Sequence, residues 1–195
     1  MLGKLAIVVG HSLKQKGAKA VPPIDAYEYD YNNQLASIIY RAARQCGIEC
    51  RVFLRDKIGI KGAYEKVNAW IAEDELGACI ELHFNAFNGK AKGTETLFDM
   101  DPADSIELAR CVHNEICNCF SREGKANRGI KKREEGRGAY NLELCEVPGC
   151  IVEPFFGDTR SESELGHALM FEYAGSILKG VQNYFKETIH RNGLN

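Results

Sequence analysis

Three residues of this chain have the types and placements needed to hold a metal: His11, Glu28 and His83. His11 directly follows the apolar run Leu5-Ala6-Ile7-Val8-Val9-Gly10. His83 closes Ala78-Cys79-Ile80-Glu81-Leu82, and Glu28 stands just ahead of a helically periodic stretch that begins near Tyr31. Two imidazoles and one carboxylate form the ligand set of an open zinc site, in which three protein groups hold the metal and water takes the fourth position. One such set predicts one Zn2+ per chain. Glu153 ends the apolar segment Cys150-Ile151-Val152 and could be the proton carrier that such a site needs. In outline this is a hydrolase. Either histidine alone could simply cap a loop after its strand; the argument comes from several candidates at matching positions.

The elements that must position these groups are short apolar strands alternating with helical patterns. That alternation argues a single α/β domain over residues 1–195, with a central, mostly parallel twisted sheet of about six strands and helices on both faces. Lys4–Val9 reads as the first strand. A helix follows over Tyr31–Cys46, with Leu35, Ile38, Ile39 and Ala42 on one face and Gly47 as its stop signal. Glu49–Leu54, Ala78–His83 and Thr94–Phe98 read as strands, and Gly62–Glu73 as a helix. Pro102 suits the first turn of a helix running to about Phe120. Ser121–Gly138 reads as a polar loop, Ala139–Leu144 and Gly149–Glu153 as the last two strands, and Ser161–Lys186 as the final helix. His11 and His83 then fall at the carboxyl ends of strands, where open α/β sheets form their ligand crevices.

Composition narrows the class. At 195 residues the chain suits one domain that buries roughly two-thirds of its unfolded surface. A net charge of −2 gives no global attraction to nucleic acid or an anionic membrane. No apolar run approaches the ~20 residues of a membrane span, so no stable membrane insertion is expected, and the chain reads as a monomer. The first apolar run is cut by Gly10-His11 after six residues and reads as a core strand instead of a signal peptide, which implies synthesis in the cytoplasm. The eight cysteines form no Cys-x-x-Cys pair, so they read as reduced and structural.

Val9-Gly10-His11-Ser12, Glu28, Glu81-Leu82-His83-Phe84-Asn85-Ala86, Gly93-Thr94-Glu95-Thr96 and Val152-Glu153-Pro154-Phe155-Phe156 together resemble the zinc-dependent N-acetylmuramoyl-L-alanine amidases of the amidase-3 type. This type includes the catalytic domains of phage endolysins and bacterial cell-wall amidases. The resemblance runs from Lys4 to about Phe185. It implies that His11, Glu28 and His83 bind Zn2+, and that Glu153 serves as general base toward the attacking water and then as acid toward the departing amine. The bond cut would be the amide joining N-acetylmuramic acid to L-alanine, with peptidoglycan, both glycan strand and stem peptide, as partner. Compactness without a cell-wall-binding module favours the phage or prophage type, acting on the wall after release or permeabilisation.

Glu81 departs from the small hydroxyl residue often found there in the family. It shares a strand face with His83, so it could support a ligand from the second layer of contacts, as could Asn85, or it could reach solvent at the sheet's end. His113 and His167 lie in helical patterns and read as ordinary helix residues. The basic stretch 122–137, with Arg122, Lys125, Arg128, Lys131, Lys132, Arg133 and Arg137, is diluted by Glu123, Glu134 and Glu135; it reads as a solvated loop or as a contact for stem-peptide carboxylates. Tyr27, Tyr29 and Tyr31 read as packing or as a sugar-binding surface. Two further functions stay open on the residues: a zinc peptidase or deacylase acting on another amide, and a non-catalytic peptidoglycan-binding domain.

Overall fold

The computed structural model describes residues 1–71, 76–100, 102–120, 127–133, 135–136 and 138–193. Six strands form one sheet: β1 (Gly3–Val9), β2 (Ile48–Phe53), β3 (Gly77–Leu82), β4 (Thr94–Phe98), β5 (Asn127–Lys132) and β6 (Gly149–Glu153). Their order across the sheet is β2-β1-β3-β6-β4-β5. All pairings are parallel except β4 with β6. That one reversal brings the start of β4 to the edge where β1, β3 and β6 end, and Glu95 stands directly opposite Glu153.

Strand alternation sorts the residues between two helical layers. Leu5, Ile7 and Val9 of β1, Ala78, Ile80 and Leu82 of β3, and Cys150 and Val152 of β6 face the larger layer. This layer holds α1 (Glu28–Ala43), α3 (Ser105–Phe120) and α6 (Met170–Arg191). Leu108, Val112 and Ile116 recur at helical spacing on α3 and pack with Ile177, Val181 and Tyr184 of α6. Each such side chain contributes roughly 1.5–3 kcal/mol by leaving water. The opposite face carries Ala6, Val8 and Cys79, covered by Tyr64 and Val67 of α2 (Gly59–Trp70). It also carries Leu97 and Ile151, which pack against Leu142 of α4 (Ala139–Glu143). This smaller layer leaves the carboxyl edge of the sheet uncovered. α5 (Arg160–Ala168) follows the exit from β6.

The architecture is the expected one, with local corrections. Ala139–Leu144 is not a strand: Ala139–Glu143 is a short helix, whose Leu142 closes the small core over Leu97 and Ile151. An apolar-polar alternation over five residues also suits one helical turn lying on a sheet. The expected polar loop contains β5, an edge strand with partly exposed residues, whose lysine- and arginine-rich sequence hides its pairing with β4. The first helix begins at Glu28 itself, with a tighter turn over Arg44–Cys46 ending at left-handed Gly47. The third begins at Ser105, after a turn containing Pro102. The final helix is two, breaking at Leu169. The helix expected to Glu73 extends to Trp70, and residues 72 and 73 lie outside the described residues, as do Arg122, Glu123, Lys125, Glu134 and Arg137. Among the described residues no helix is long and apolar enough to cross a membrane.

Candidate metal and catalytic centre

His11, Glu28 and His83 meet at the uncovered carboxyl edge. Each offers one ligand atom, and these atoms all lie within 4.8 Å of one another. Glu28 stands between the imidazoles, its Oε2 3.1 Å from His11 Nε2 and its Oε1 3.1 Å from His83 Nδ1. The sequence reaches this geometry in three ways. β1 delivers His11, whose left-handed backbone (φ 68°) turns its ring out of the strand line. β3 delivers His83. Glu28 opens α1, whose first turn is tied to the preceding loop by Glu28 N–H to Ala18 O and Tyr29 N–H to Lys16 O.

The Glu28 carboxylate also accepts the backbone N–H of Ala18 at 2.9 Å and of Phe84 at 3.3 Å. Burial alone would raise its pKa, but the hydrogen bonds and charges of His11 and His83 hold it at about 2. It is therefore an anion, with only 5% of its surface exposed.

Two glycines keep the centre open. A Cβ on Gly17, whose φ is +79°, would fall 2.6 Å from both Glu28 Oε2 and His11 Nε2. A Cβ on Gly10 would fall 2.5 Å from His83 Nε2. The space that a side chain at Gly17 would fill is the space beside the ligand atoms.

Glu81 does not reach solvent. It is fully buried and accepts hydrogen bonds from Tyr64 Oη at 2.5 Å and from Asn141 Nδ2 at 3.0 Å. It also pairs with the buried guanidinium of Arg55. Its Oε1 lies 2.6 Å from His83 Nε2. A carboxylate can only accept, so Nε2 donates its proton to Glu81 and Nδ1 is the ring atom that faces Glu28 and the centre. Asn85 plays a different part: its Nδ2 donates to Glu95 Oε1 at 3.0 Å instead of meeting the three clustered residues.

Glu153 ends β6 at the same edge and lines the same cleft, a cavity of about 890 Å³ whose walls also carry His11, Glu28, His83, Arg133 and Tyr140. Its Oε2 is buried and has no hydrogen-bond partner. Burial pushes its pKa up to about 8; the negative charges of Glu28 and Glu95 push the same way, and His83 and Arg133 oppose them. Glu95 has the reverse balance. Burial would raise it, but Arg128, Lys131 and Asn85 hold it at about 2.

Several candidates lie elsewhere. His113 is buried in α3 between Thr96 and Asn127, and His167 sits in α5; neither joins the centre. Tyr29 and Tyr31 are core residues, their hydroxyls bound to Asp56 and to Gly166 O, and only Tyr27 is exposed. Sequence reading missed Gly17, Arg55, Tyr64 and Asn141. Arg55, just after β2, and Asn141, in α4, are brought to Glu81 by the fold, a proximity with no trace in local spacing.

An open α/β sheet with two histidines and a glutamate at its carboxyl edge, beside a carboxyl whose buried Oε2 has no hydrogen-bond partner, defines a hydrolase-type centre able to take a metal. The chain belongs to the amidase-3 family of N-acetylmuramoyl-L-alanine amidases, whose model matches residues 5–183. It is thus an enzyme that hydrolyses an amide of peptidoglycan. Among solved structures it is similar to the catalytic domain of an endolysin targeting Clostridium difficile, with 26% identity, a TM-score of 0.76 and coverage of 93% of this chain and 97% of that one. The catalytic domain of an N-acetylmuramoyl-L-alanine amidase from Bacillus (Paenibacillus) polymyxa shares the fold at 19% identity and a TM-score of 0.79, covering 94% and 98%. An amidase of Nostoc punctiforme does so at 19% identity and 0.77, covering 95% and 98%. No curated protein sequence matches.

Proposed function

We propose that the chain is a zinc-dependent N-acetylmuramoyl-L-alanine amidase in which His11, Glu28 and His83 hold one Zn2+ and Glu153 moves the proton. The observation that carries this reading is the meeting of three ligand atoms within 4.8 Å beside a buried, partnerless Glu153 Oε2. The residues suit zinc on three counts: the donor set is two imidazoles and one carboxylate, Gly17 leaves the space beside the ligand atoms clear, and Glu81 presets the tautomer of His83. Bound zinc supplies Lewis acidity, polarising the scissile carbonyl and lowering the pKa of water.

The remaining chemistry belongs to the chain. Glu153, ionised, takes the proton from the attacking water and returns it to the leaving L-alanine nitrogen, so that it ends the cycle as it began. Glu81, gripped by Arg55, Tyr64 and Asn141, keeps the His83 ring from rotating. The 26% likeness to an endolysin catalytic domain supports a lytic role of the phage or prophage kind, on a wall reached after release or permeabilisation.

Purified sacculi digested with and without chelator, followed by mass spectrometry of the new termini, test this reading. New N-terminal L-alanine that disappears on chelation is the expected result. Release of other amino termini would make the enzyme a peptidase, and release unaffected by chelation would remove the metal from the mechanism.

A further inference from the structure

The walls of the catalytic cleft include two arginines with different circumstances. Arg55 is ion-paired with Glu81, although its Nε is buried without an acceptor. Arg133 makes no hydrogen bond or ion pair with a carboxylate among the described residues, its charge acting on Glu153 only through space, and its Nε is likewise buried without a hydrogen-bond acceptor. It follows β5 at the point where its backbone N–H still bonds to Phe98 O at 2.9 Å. One strand repeat earlier, Lys131 sends its ammonium to Glu95 Oε2 at 2.6 Å, and Arg128 binds the same oxygen at 2.6 Å. Glu95 therefore already holds two cations, and Arg133 is left over. The cleft that it lines is also lined by Leu97, Ile151, Gly138, Tyr140 and Glu153.

A partly buried guanidinium with an idle donor is costly unless an acceptor arrives. The acceptor that best fits its fork is a carboxylate, taken through two parallel N–H···O bonds. If the cleft takes the amide between muramic acid and L-alanine, the glycan side of that bond brings no charge. The stem side brings one within about two residues, roughly 7 Å along the chain. The second stem residue is a glutamate joined onward through its side chain, so its α-carboxyl is free in some walls and amidated in others.

We propose that Arg133 is a specificity-determining residue that binds this free α-carboxylate, making the enzyme selective for stem peptides that are not amidated at their second residue. This rests on the amidase reading above. A charge-assisted hydrogen bond of about 1.5–3 kcal/mol corresponds to a preference of roughly 10- to 150-fold.

The test uses two synthetic N-acetylmuramoyl tripeptides that differ only in a carboxylate or a carboxamide at that position. For the wild type, kcat/KM should favour the carboxylate by that factor. Arg133→Gln should abolish the preference by slowing the carboxylate substrate by that factor more than the carboxamide, with zinc content unchanged; a further change shared by both substrates would report the loss of its charge near Glu153. Arg133→Lys, which keeps charge and volume should the glutamine variant fold poorly, should retain only part of it. Titration calorimetry of both tripeptides against Glu153→Gln measures the same preference as binding, independent of turnover. Absence of cleavage of either compound would reject the amidase reading, while the binding preference would still decide the role of Arg133. Equal binding of the two compounds, a preference surviving in Arg133→Gln, or an equal loss on both substrates would overturn the proposal. The last result would leave Arg133 only its charge near Glu153.

Discussion

Glu28 and Glu153 are carboxyls on the same cleft with opposite electrostatics, and that contrast separates their roles. Glu28 is held at about 2 by two imidazoles, the state of a metal ligand; Glu153 is raised to about 8 by burial, the state of a group that exchanges protons near neutrality. Glu153→Gln keeps the shape and removes the proposed base, so turnover should fall by about 10²- to 10⁴-fold with zinc content intact by elemental analysis. Glu28→Gln should instead lose the zinc. The reverse pattern would exchange the two roles. Glu153 also sets a pH dependence in the chelated protein. Its folded pKa lies above its unfolded value near 4.5, so the folded state holds a proton that the unfolded state releases. The Glu153 contribution to stability should therefore be complete below about pH 4.5 and decline as pH rises toward 8. Denaturant titrations of the chelated protein across that window should show the decline in the wild type and not in Glu153→Gln.

At the scale of elements, two packing arrangements decide what the cleft can tolerate. Arg55, Tyr64 of α2, Glu81 of β3 and Asn141 of α4 form one buried polar group beneath His83. Removing one member of a buried ion pair leaves its partner's charge unmatched and costs about 3–5 kcal/mol. Glu81→Gln should lower stability on that scale by chemical denaturation and also weaken zinc affinity. Double replacement of Arg55 and Glu81 by apolar residues should recover stability without recovering zinc affinity. The second arrangement is the close approach of α3 and α6. A Cβ on Gly180 would lie 2.6 Å from Val112 Cα, a backbone atom that cannot turn aside. Glycine to alanine inside a helix ordinarily gains up to about 1 kcal/mol. Here overpacking of about 1–3 kcal/mol opposes it, so Gly180→Ala should lower the melting temperature.

For the whole molecule, none of the eight cysteines is in a disulfide. Five are buried, and burial pushes the Cys50 and Cys111 thiols up to about 12. Thiolate is the reactive form, so a thiol reagent should label at most Cys46, Cys117 and Cys119 quickly in the folded protein. Activity should survive that labelling and excess reductant alike, because the proposed mechanism uses water and not a thiol as nucleophile. Rapid labelling of Cys150, on the strand that ends at Glu153, with loss of activity would contradict this account.

The sequence by itself determined the alternation of strands and helices, the positions of His11, His83 and Glu153 at strand ends, and the type of chemistry they allow. Those features rest on local periodicity and on residue type, which neighbouring residues reveal. Tertiary structure alone decided the rest. The alternation within Ala139–Leu144 resolves into a helix only because Leu142 has Leu97 and Ile151 to cover. β5 becomes a strand because β4 offers an unpaired edge, although its own residues are polar. Glu81 becomes a buried support of His83 because Arg55, Tyr64 and Asn141 converge from segments 17 to 60 residues away in the chain. Long-range convergence sets whether a carboxylate is solvated, paired or partnerless, and so it fixes which of these acids can hold a metal and which can carry a proton.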